Sequence, residues 1–216
     1  MPRPRLHSVD GILDAAEDLV SSGGPTALTL RSLALATGAP AGTLTHAFGS
    51  RDGLVAQLWL RAAQRFLDRQ RTRVDAEFAT ESPAAPVHAT VAAALAPLGL
   101  VAERPAAAAV LLGYRREDLL GHDVPDALVD ELHALDQRFV ALLRRLSEGL
   151  WQRRDSAAVE AVTVCVVDLP TGLLRRHLRG EVPPDTARHL QAAVEGVLAL
   201  GPPPNRKAAS RAHSRP

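Results

Sequence analysis

The stretch ATGAPAGTLTHAFGSRDGL, residues 36–54, determines how the chain is interpreted. Small residues surround a Thr-Leu-Thr-His core, and few side chains are charged. Pro40 suits the first position of a helix, and Leu44 and Phe48 share one face because they are four residues apart. The pattern predicts a short helix, about 40–47, that is slim on its other face.

The neighbouring segments carry helix start and stop signals. A helical apolar stripe begins after Ser8 and ends at Gly24, and Thr29 is suited to cap a second helix that ends at Gly38. Ser50 is suited to cap a longer helix that runs into the seventies. Two short helices joined by a tight turn and braced by a preceding helix predict a helix-turn-helix, whose second helix enters the DNA major groove.

The remainder of the 216-residue chain also favours helices. Hydrophobic residues make up 46% of the chain and aromatic residues only 3%, and no segment alternates apolar and polar residues for long. We therefore expect an all-α protein of about nine helices. The later helices are predicted near 86–101, 105–120, 125–149, 155–178 and 184–200.

The N-terminal pattern resembles the TetR family of transcriptional regulators over residues 8–54. The family's first helix has an Ile-x-x-Ala-Ala core, matched by Ile12, Ala15 and Ala16, and its second helix opens on a threonine, matched by Thr29. The family then has Gly-Val-Ser-x-Gly-Thr-Leu-Tyr-x-x-Phe followed by Ser-Lys-x-x-Leu, which GAPAGTLTHAFGSRDGL matches. Beyond residue 60 the resemblance is architectural.

The resemblance implies a homodimeric regulator, most simply a repressor, that binds a palindromic operator in double-stranded DNA. A small, partly apolar effector would release it. The expected domains are a helix-turn-helix domain at 1–54, a helical regulatory and dimerisation domain at 55–200, and a basic tail at 201–216. We interpret the tail as disordered because it has four positive side chains and no acid.

The DNA-binding candidates lie on the second and third helices and at the start of the fourth. Thr43, Thr45 and His46 offer hydroxyl and imidazole groups to base edges or phosphates, and small neighbours allow the backbone to approach. Two positions depart from the family, with Thr45 where it commonly has Tyr and Ala41 where it often has Lys or Arg. The full candidate set is Thr29, Arg31, Pro40, Ala41, Gly42, Thr43, Thr45, His46 and Arg51.

The charge of this region predicts few ionic contacts with phosphate. The chain has a formal net charge of +1, whereas residues 1–55 hold four bases and five acids, a net charge of −1. We therefore expect a weak dependence of DNA affinity on salt. Arg3 and Arg5 form an arm that we interpret as disordered, with minor-groove tracking as the alternative.

The larger region offers candidates for a ligand chamber and a dimer interface. The chamber candidates are Trp59, Phe66, His88, Tyr114, Phe139, Trp151, Cys165 and Asp168. A kink is expected where Pro170 removes the amide that would bond the carbonyl of Val166. The predicted interface stripes are Val162, Val166, Leu169 and Leu173, and Leu190, Val194, Val197 and Leu198, although a monomer could bury both stripes internally.

Other classes of function receive little support from the sequence. The single Cys165 cannot form an internal disulfide, no uninterrupted apolar run reaches the roughly 18 residues of a membrane span, and the cytoplasm is the default location. Scattered histidines, with no Gly-rich phosphate loop or nucleophile elbow, predict no metal, no cofactor and no catalysis. Two alternatives remain, a small-molecule binding protein without operator binding and a helical-bundle enzyme.

Overall fold

The computed structural model describes residues 8–114, 124–177 and 181–204, and every regular element within these ranges is helical. The all-α prediction is thereby confirmed. The α-helices are α1 (Val9–Gly23), α2 (Leu30–Thr37), α3 (Ala41–Phe48), α4 (Arg51–Phe78), α5 (Ala85–Glu103), α6 (Pro105–Gly113), α7 (Asp126–Trp151), α8 (Ser156–Thr163), α9 (Leu169–Leu174) and α10 (Thr186–Ala199). A π-helical turn, Val164–Asp168, joins α8 to α9, so the described ranges contain nine continuous α-helices.

The chain divides into two compact units. The first comprises the described residues within Met1–Phe66 and Gly99–Gln137, and the second those within Leu67–Leu98 and Arg138–Pro216. The division does not coincide with the domain boundary expected at residue 54. It lies further along because α4 continues past residue 54 without a break, and a later part of the chain joins the first unit.

Local capping sets the ends of the first helices. Ser8 caps α1, its Oγ accepting the amide of Gly11 at 3.1 Å. Thr29 caps α2 in a capping box with Ser32, in which each hydroxyl accepts the other residue's amide at 2.9 Å. Gly38 ends α2 with a φ of 68°, in the left-handed region that favours glycine. The predicted starts and ends of these two helices are confirmed to within one residue.

The core of the first unit gathers apolar side chains from α1, α2, α3, α4 and α6. Leu28, just before the cap of α2, and Leu33 in its first turn are both fully buried, as a hydrophobic staple requires. The buried cluster consists of Ile12, Leu13, Ala16, Val20, Leu28, Leu33, Ala39, Leu44, Phe48, Leu54, Val55, Leu58, Ala62 and Val110. All three helices of the helix-turn-helix region therefore rest on α4 and α6.

Acidic side chains of α1 are neutralised inside the first unit. The carboxylate of Glu17 is buried, and Arg61 of α4 donates to it at 2.6 Å and lies 2.9 Å from the carboxylate of Asp14. Arg104, just before α6, lies 3.7 Å from Glu17. The net charge of residues 1–55 therefore overstates the negative charge that this unit presents to solvent.

In the second unit, a proline inside α5 is compensated by a side chain of α4. Pro97 has no amide hydrogen, so the carbonyl of Ala93, four residues earlier, lacks its helical donor. The side-chain amide of Gln70 donates to that carbonyl at 2.9 Å, and Gln70 is buried. This bond fixes the C-terminal half of α4 against α5.

Charged side chains also join α4 to α7 in the second unit. Asp68 pairs with Arg138, and Asp75 pairs with Arg145, so the two pairs follow each other along both helices. The guanidinium of Arg145 also lies 4.8 Å from the centre of the Phe78 ring, a cation–π contact. These pairs are largely exposed, so they fix the register of the two helices more than they add stability.

The expected kink near Pro170 is a π-helical turn. The amide of Leu169 donates to the carbonyl of Val164, five residues earlier, and the helix then continues as α9. Asp168 at the end of this turn is exposed, and Pro170 is buried. The helix therefore continues through this wider turn although Pro170 has no amide hydrogen.

Two helical segments are long and apolar enough to cross a membrane by length and composition alone. They are Ala85–Glu103, with a mean hydropathy of 1.6, and Ser156–His177, with 1.7. The sequence-based prediction of no such segment considered only uninterrupted apolar runs. Mean hydropathy is an average over a window, and the Pro, Gly and Thr residues in these segments lower that average only slightly. Core helices of globular proteins have the same properties, and both segments contain fully buried core residues.

Gly53 provides a test of the turn between α3 and α4. A Cβ at this position would lie 2.2 Å from the carbonyl oxygen of Phe48, so Gly53→Ala should destabilise the protein by about 1–3 kcal/mol. Gly42→Ala is the matched control, because a Cβ there meets nothing within 4 Å and should add about 0.5–1 kcal/mol to a helix. Urea denaturation followed by circular dichroism measures both. A Gly53→Ala midpoint equal to the wild-type value would contradict this view of the turn.

Candidate nucleic-acid interface

The side chains of α3 separate onto two faces. Leu44 and Phe48 are buried in the core of the first unit, whereas Thr43, Thr45 and His46 are exposed. The predicted inside and outside positions of the helix therefore agree with the structure. Hydroxyl and imidazole groups at the outer face can donate to or accept from base edges and phosphate oxygens.

The N-terminal end of α3 is small and exposed. Pro40 is the N-cap, so α3 begins one residue later than predicted, and Ala41 and Gly42 form its exposed first turn. Pro40 contributes no side-chain hydrogen bond to this turn. First-turn amides point along the helix axis toward the space in front of it, where an anion is favoured.

The candidates on α2 differ in how far their side chains are already engaged. Thr29 is occupied by its capping box with Ser32, which gives it a structural role independent of DNA. Arg31 is exposed in the first turn of α2 and forms no ion pair with the residues that the structure describes. Ser32 was not singled out from the sequence, because a serine at this position is a weaker cap partner than Glu or Gln.

Arg51, at the start of α4, is exposed, and its guanidinium reaches back to the linker between α1 and α2. Its Nε donates to the carbonyl of Leu28 at 2.9 Å, and its Nη2 donates to the carbonyl of Pro25 at 3.2 Å. The hydroxyl of Tyr114 donates to the same carbonyl of Pro25 at 3.1 Å. Burial raises the pKa of Tyr114, an effect that the positive charge of Arg51 partly opposes, so the phenol is protonated at neutral pH.

The predicted ligand-chamber residues are divided between the two units. In the first unit, Trp59 donates from Nε1 to the carbonyl of Leu111 at 3.3 Å, Phe66 packs on the cluster of Leu100, and Tyr114 packs on the core under α3. These three serve the packing of that unit. The members within the second unit are His88, Phe139, Trp151, Cys165 and Asp168.

Of the candidates in the second unit, Cys165 is fully buried, and Phe139 and Trp151 are partly buried. His88 is exposed, with Nδ1 4.0 Å from the carboxylate of Glu77. Asp168, the last residue of the π-helical turn, is exposed.

The predicted dimer stripes are largely internal. Val162, Val166, Leu190, Val194 and Leu198 are buried within the second unit, as expected for the alternative in which the chain buries both stripes itself. Leu169, Leu173 and Val197 are partly exposed. Helical periodicity cannot separate the two cases, because a core stripe and an interface stripe are both apolar at the same spacing.

Several predicted features lie outside the described residues. They are the arm with Arg3 and Arg5, the histidine at position 122, and the basic part of the tail with Arg206, Lys207, Arg211 and Arg215.

Comparison with known proteins gives a family match at the N-terminal region. The family model for bacterial regulatory proteins of the tetR family matches residues 12–58, which span α1, α2, α3 and the start of α4. The HTH-type transcriptional regulator AlkX of Mycobacterium tuberculosis is 39% identical over 67 residues. That match covers 31% of this chain and about a third, 32%, of the length of AlkX.

Similar solved structures cover nearly the whole chain. A TetR-like transcriptional regulator from Rhodococcus sp. RHA1 matches 92% of this chain and 98% of its own, with a TM-score of 0.60 and 22% identity. The transcriptional regulator FadR from Bacillus subtilis, solved in complex with stearoyl-CoA, matches 88% of this chain and 95% of its own, with a TM-score of 0.57 and 16% identity. At this level of identity the likeness establishes the fold.

Cys165 should be chemically inert in the folded protein. Its side chain is fully buried, and burial raises the pKa of the thiol to about 11, so little reactive thiolate exists near pH 8. We expect alkylation by iodoacetamide at pH 8 to be at least about tenfold slower in native protein than in urea. The labelling rate is measured by mass spectrometry, with a peptide containing one free cysteine as the control. Native labelling as fast as that of the peptide would contradict the burial of Cys165.

Proposed function

The chain belongs to the TetR family of bacterial regulatory proteins, and on that premise we propose that it is a DNA-binding transcriptional regulator, most simply a repressor. The observation that carries the proposal is the division of α3 into a buried face and an exposed face. Leu44 and Phe48 anchor the helix, and Thr43, Thr45 and His46 are presented outward. Such a helix suits readout of base edges in the major groove.

Few charged side chains would contact the phosphates of the DNA backbone. Arg31 on α2 is exposed and would contact phosphate, and the amides in the first turn of α3 would hold a second phosphate without a charged side chain. Thr29 would support this contact indirectly by capping α2. We therefore propose a protein whose operator affinity depends weakly on salt and strongly on hydrogen bonds to bases.

A homodimer would place two copies of α3 on a palindromic operator, about one helical turn apart. We propose an interface on the partly exposed side of α9 and α10 instead of on their buried stripes. Ala193 and Val197 on α10 and Leu200 at its C-cap follow helical spacing beside the core stripe, and Leu200 is 84% exposed. Beside them, Gly196 leaves open space in which a second copy could pack.

The effector is proposed to be small and at least partly apolar. The similar FadR structure holds stearoyl-CoA, a ligand with a long apolar chain. In this chain, the buried core of the second unit is mainly apolar, and it includes Val162, Cys165 and Val166. An effector that binds one conformation of the dimer better than another would change operator affinity by that difference in binding free energy.

DNA selection tests the proposed function. Full-length protein should enrich a palindrome from random duplex DNA, and Thr43→Ala and His46→Ala should each weaken binding to it by about 1–3 kcal/mol, the value of a lost base contact. Thr80→Ala is the matched control: Thr80 is an exposed threonine two residues after α4, and the variant should bind like wild type. Fluorescence anisotropy with the enriched duplex provides the dissociation constants.

Gly42→Ala separates folding from binding in the same assay. The added methyl group should leave the fold intact but weaken binding by occupying space between α3 and DNA. Absence of an enriched palindrome would overturn the proposed regulator and leave a binding protein without an operator.

The dimer interface has its own prediction. Val197→Asp combined with Leu200→Asp should yield a folded monomer, because both side chains lie outside the buried stripe of α10. Ala199→Asp, exposed on another side of the same helix, is the matched control and should remain dimeric. Sedimentation velocity measures the oligomeric state, and circular dichroism checks the fold. A wild-type monomer, or a dimer that survives the double change, would refute the proposed interface.

A further inference from the structure

We infer that Arg51 positions α3 for DNA binding instead of neutralising a phosphate, and that it does so with Tyr114 through a shared acceptor, the carbonyl oxygen of Pro25. The inference rests on the proposed DNA-binding function and assigns these residues within it. It also replaces the sequence-based interpretation of Arg51 as a DNA contact.

Arg51 links two segments that flank the helix-turn-helix. It is the first residue of α4 and follows Gly49, which ends α3, by two positions. Its guanidinium reaches back to the linker between α1 and α2, where Nε donates to Leu28 and Nη2 donates to Pro25. The start of α2 and the start of α4 are thereby held together, and α3 lies between them in the chain.

Tyr114 brings the end of α6 to the same point. Its hydroxyl donates to the Pro25 carbonyl at 3.1 Å, and its ring packs on the core that holds α3. A Cβ on the preceding Gly113 would lie 3.3 Å from Cγ of Pro25, so the end of α6 and the linker approach each other closely. One carbonyl thus accepts hydrogen bonds from both α4 and the residue that follows α6.

The geometry of the guanidinium explains why an arginine suits this position. Its fixed planar array presents Nε and Nη2 to two different carbonyl oxygens at once. A lysine carries the same charge on a single nitrogen and can satisfy this pair less well. To bind a phosphate with the same two donors, Arg51 would have to give up both bonds to the linker.

Charge-conserving and charge-removing substitutions distinguish positioning from phosphate contact. Arg51→Lys keeps the charge but loses the paired geometry, so positioning predicts operator binding about threefold to tenfold weaker, and phosphate contact predicts little change. Arg51→Gln removes the charge. Positioning predicts an unchanged slope of log affinity against log salt, whereas phosphate contact predicts a slope shallower by about 1.8 for a dimer, or about 0.9 per phosphate.

Arg31→Gln is the matched control in the same salt titration. Arg31 is exposed in α2 and makes no ion pair with described residues, so its loss should make the slope shallower. This control shows that the assay detects a phosphate contact. Thermal unfolding of each variant confirms that the protein remains folded.

Tyr114→Phe tests the shared acceptor. It removes only the hydroxyl, so it should weaken operator binding by about threefold to tenfold with no change in salt slope. Because both donors bond the same carbonyl, the double change of Tyr114→Phe and Arg51→Lys should differ from the product of the single effects. Strictly multiplicative effects would overturn the role of the shared acceptor. A shallower salt slope for Arg51→Gln would overturn the positioning role of Arg51.

A DNA-free measurement separates failure of this inference from failure of the proposed function. If no duplex is enriched, the regulator proposal fails. Amide hydrogen exchange then tests, without DNA, whether the bonds of Arg51 to the linker stabilise the linker and α3. Arg51→Lys should speed amide exchange both in the linker at 26–28 and at the end of α3, at 47–49. Unchanged exchange in both segments would overturn the role of Arg51 whatever the protein binds.

Discussion

Burial of Leu44 and Phe48 in the core of the first unit determines which groups α3 can present to solvent. An isolated helix of eight residues is too short to be stable in water, so α3 exists because these two anchors pack beneath it. Their spacing of four residues sets the rotation of the helix about its axis. Thr43 and His46 are therefore exposed as a consequence of core packing, and changes beneath α3 would move them without touching them.

Local signals in the sequence predicted the ends of the early helices, and long-range contacts account for what was missed. Ser8, Thr29 and Gly38 act on amides and carbonyls a few residues away, so their roles follow from local spacing. Arg51 bonds carbonyls more than twenty residues earlier, at a distance that only the fold makes short. On α10, Val194 is internal and Val197 is partly exposed, and no local signal separates the two valines.

The net charge of a segment, like its helix faces, cannot be interpreted without the rest of the fold. The acids of α1 give residues 1–55 a negative sum, but Glu17 is paired with Arg61, which lies beyond that segment, and it also faces Arg104. Because Glu17 is paired internally, the negative sum over residues 1–55 overstates the charge that this unit presents to solvent. A buried carboxylate beside two arginines also joins α1 to α4, so the feature that lowers the formal charge is part of the internal packing of the first unit.

Two prolines within helices show how the same missing amide can have different structural results. At Pro97 the helix keeps its course, and the orphaned carbonyl of Ala93 is satisfied from another helix by Gln70. At Pro170 the helix adjusts itself through a π-helical turn. The sequence reveals that an amide is absent, but whether a neighbour or the helix itself compensates depends on which side chains the fold brings close. Gln70 compensates for Pro97 by bonding Ala93, 23 residues away, a contact that only the fold creates, whereas Thr29 and Ser32 are three residues apart.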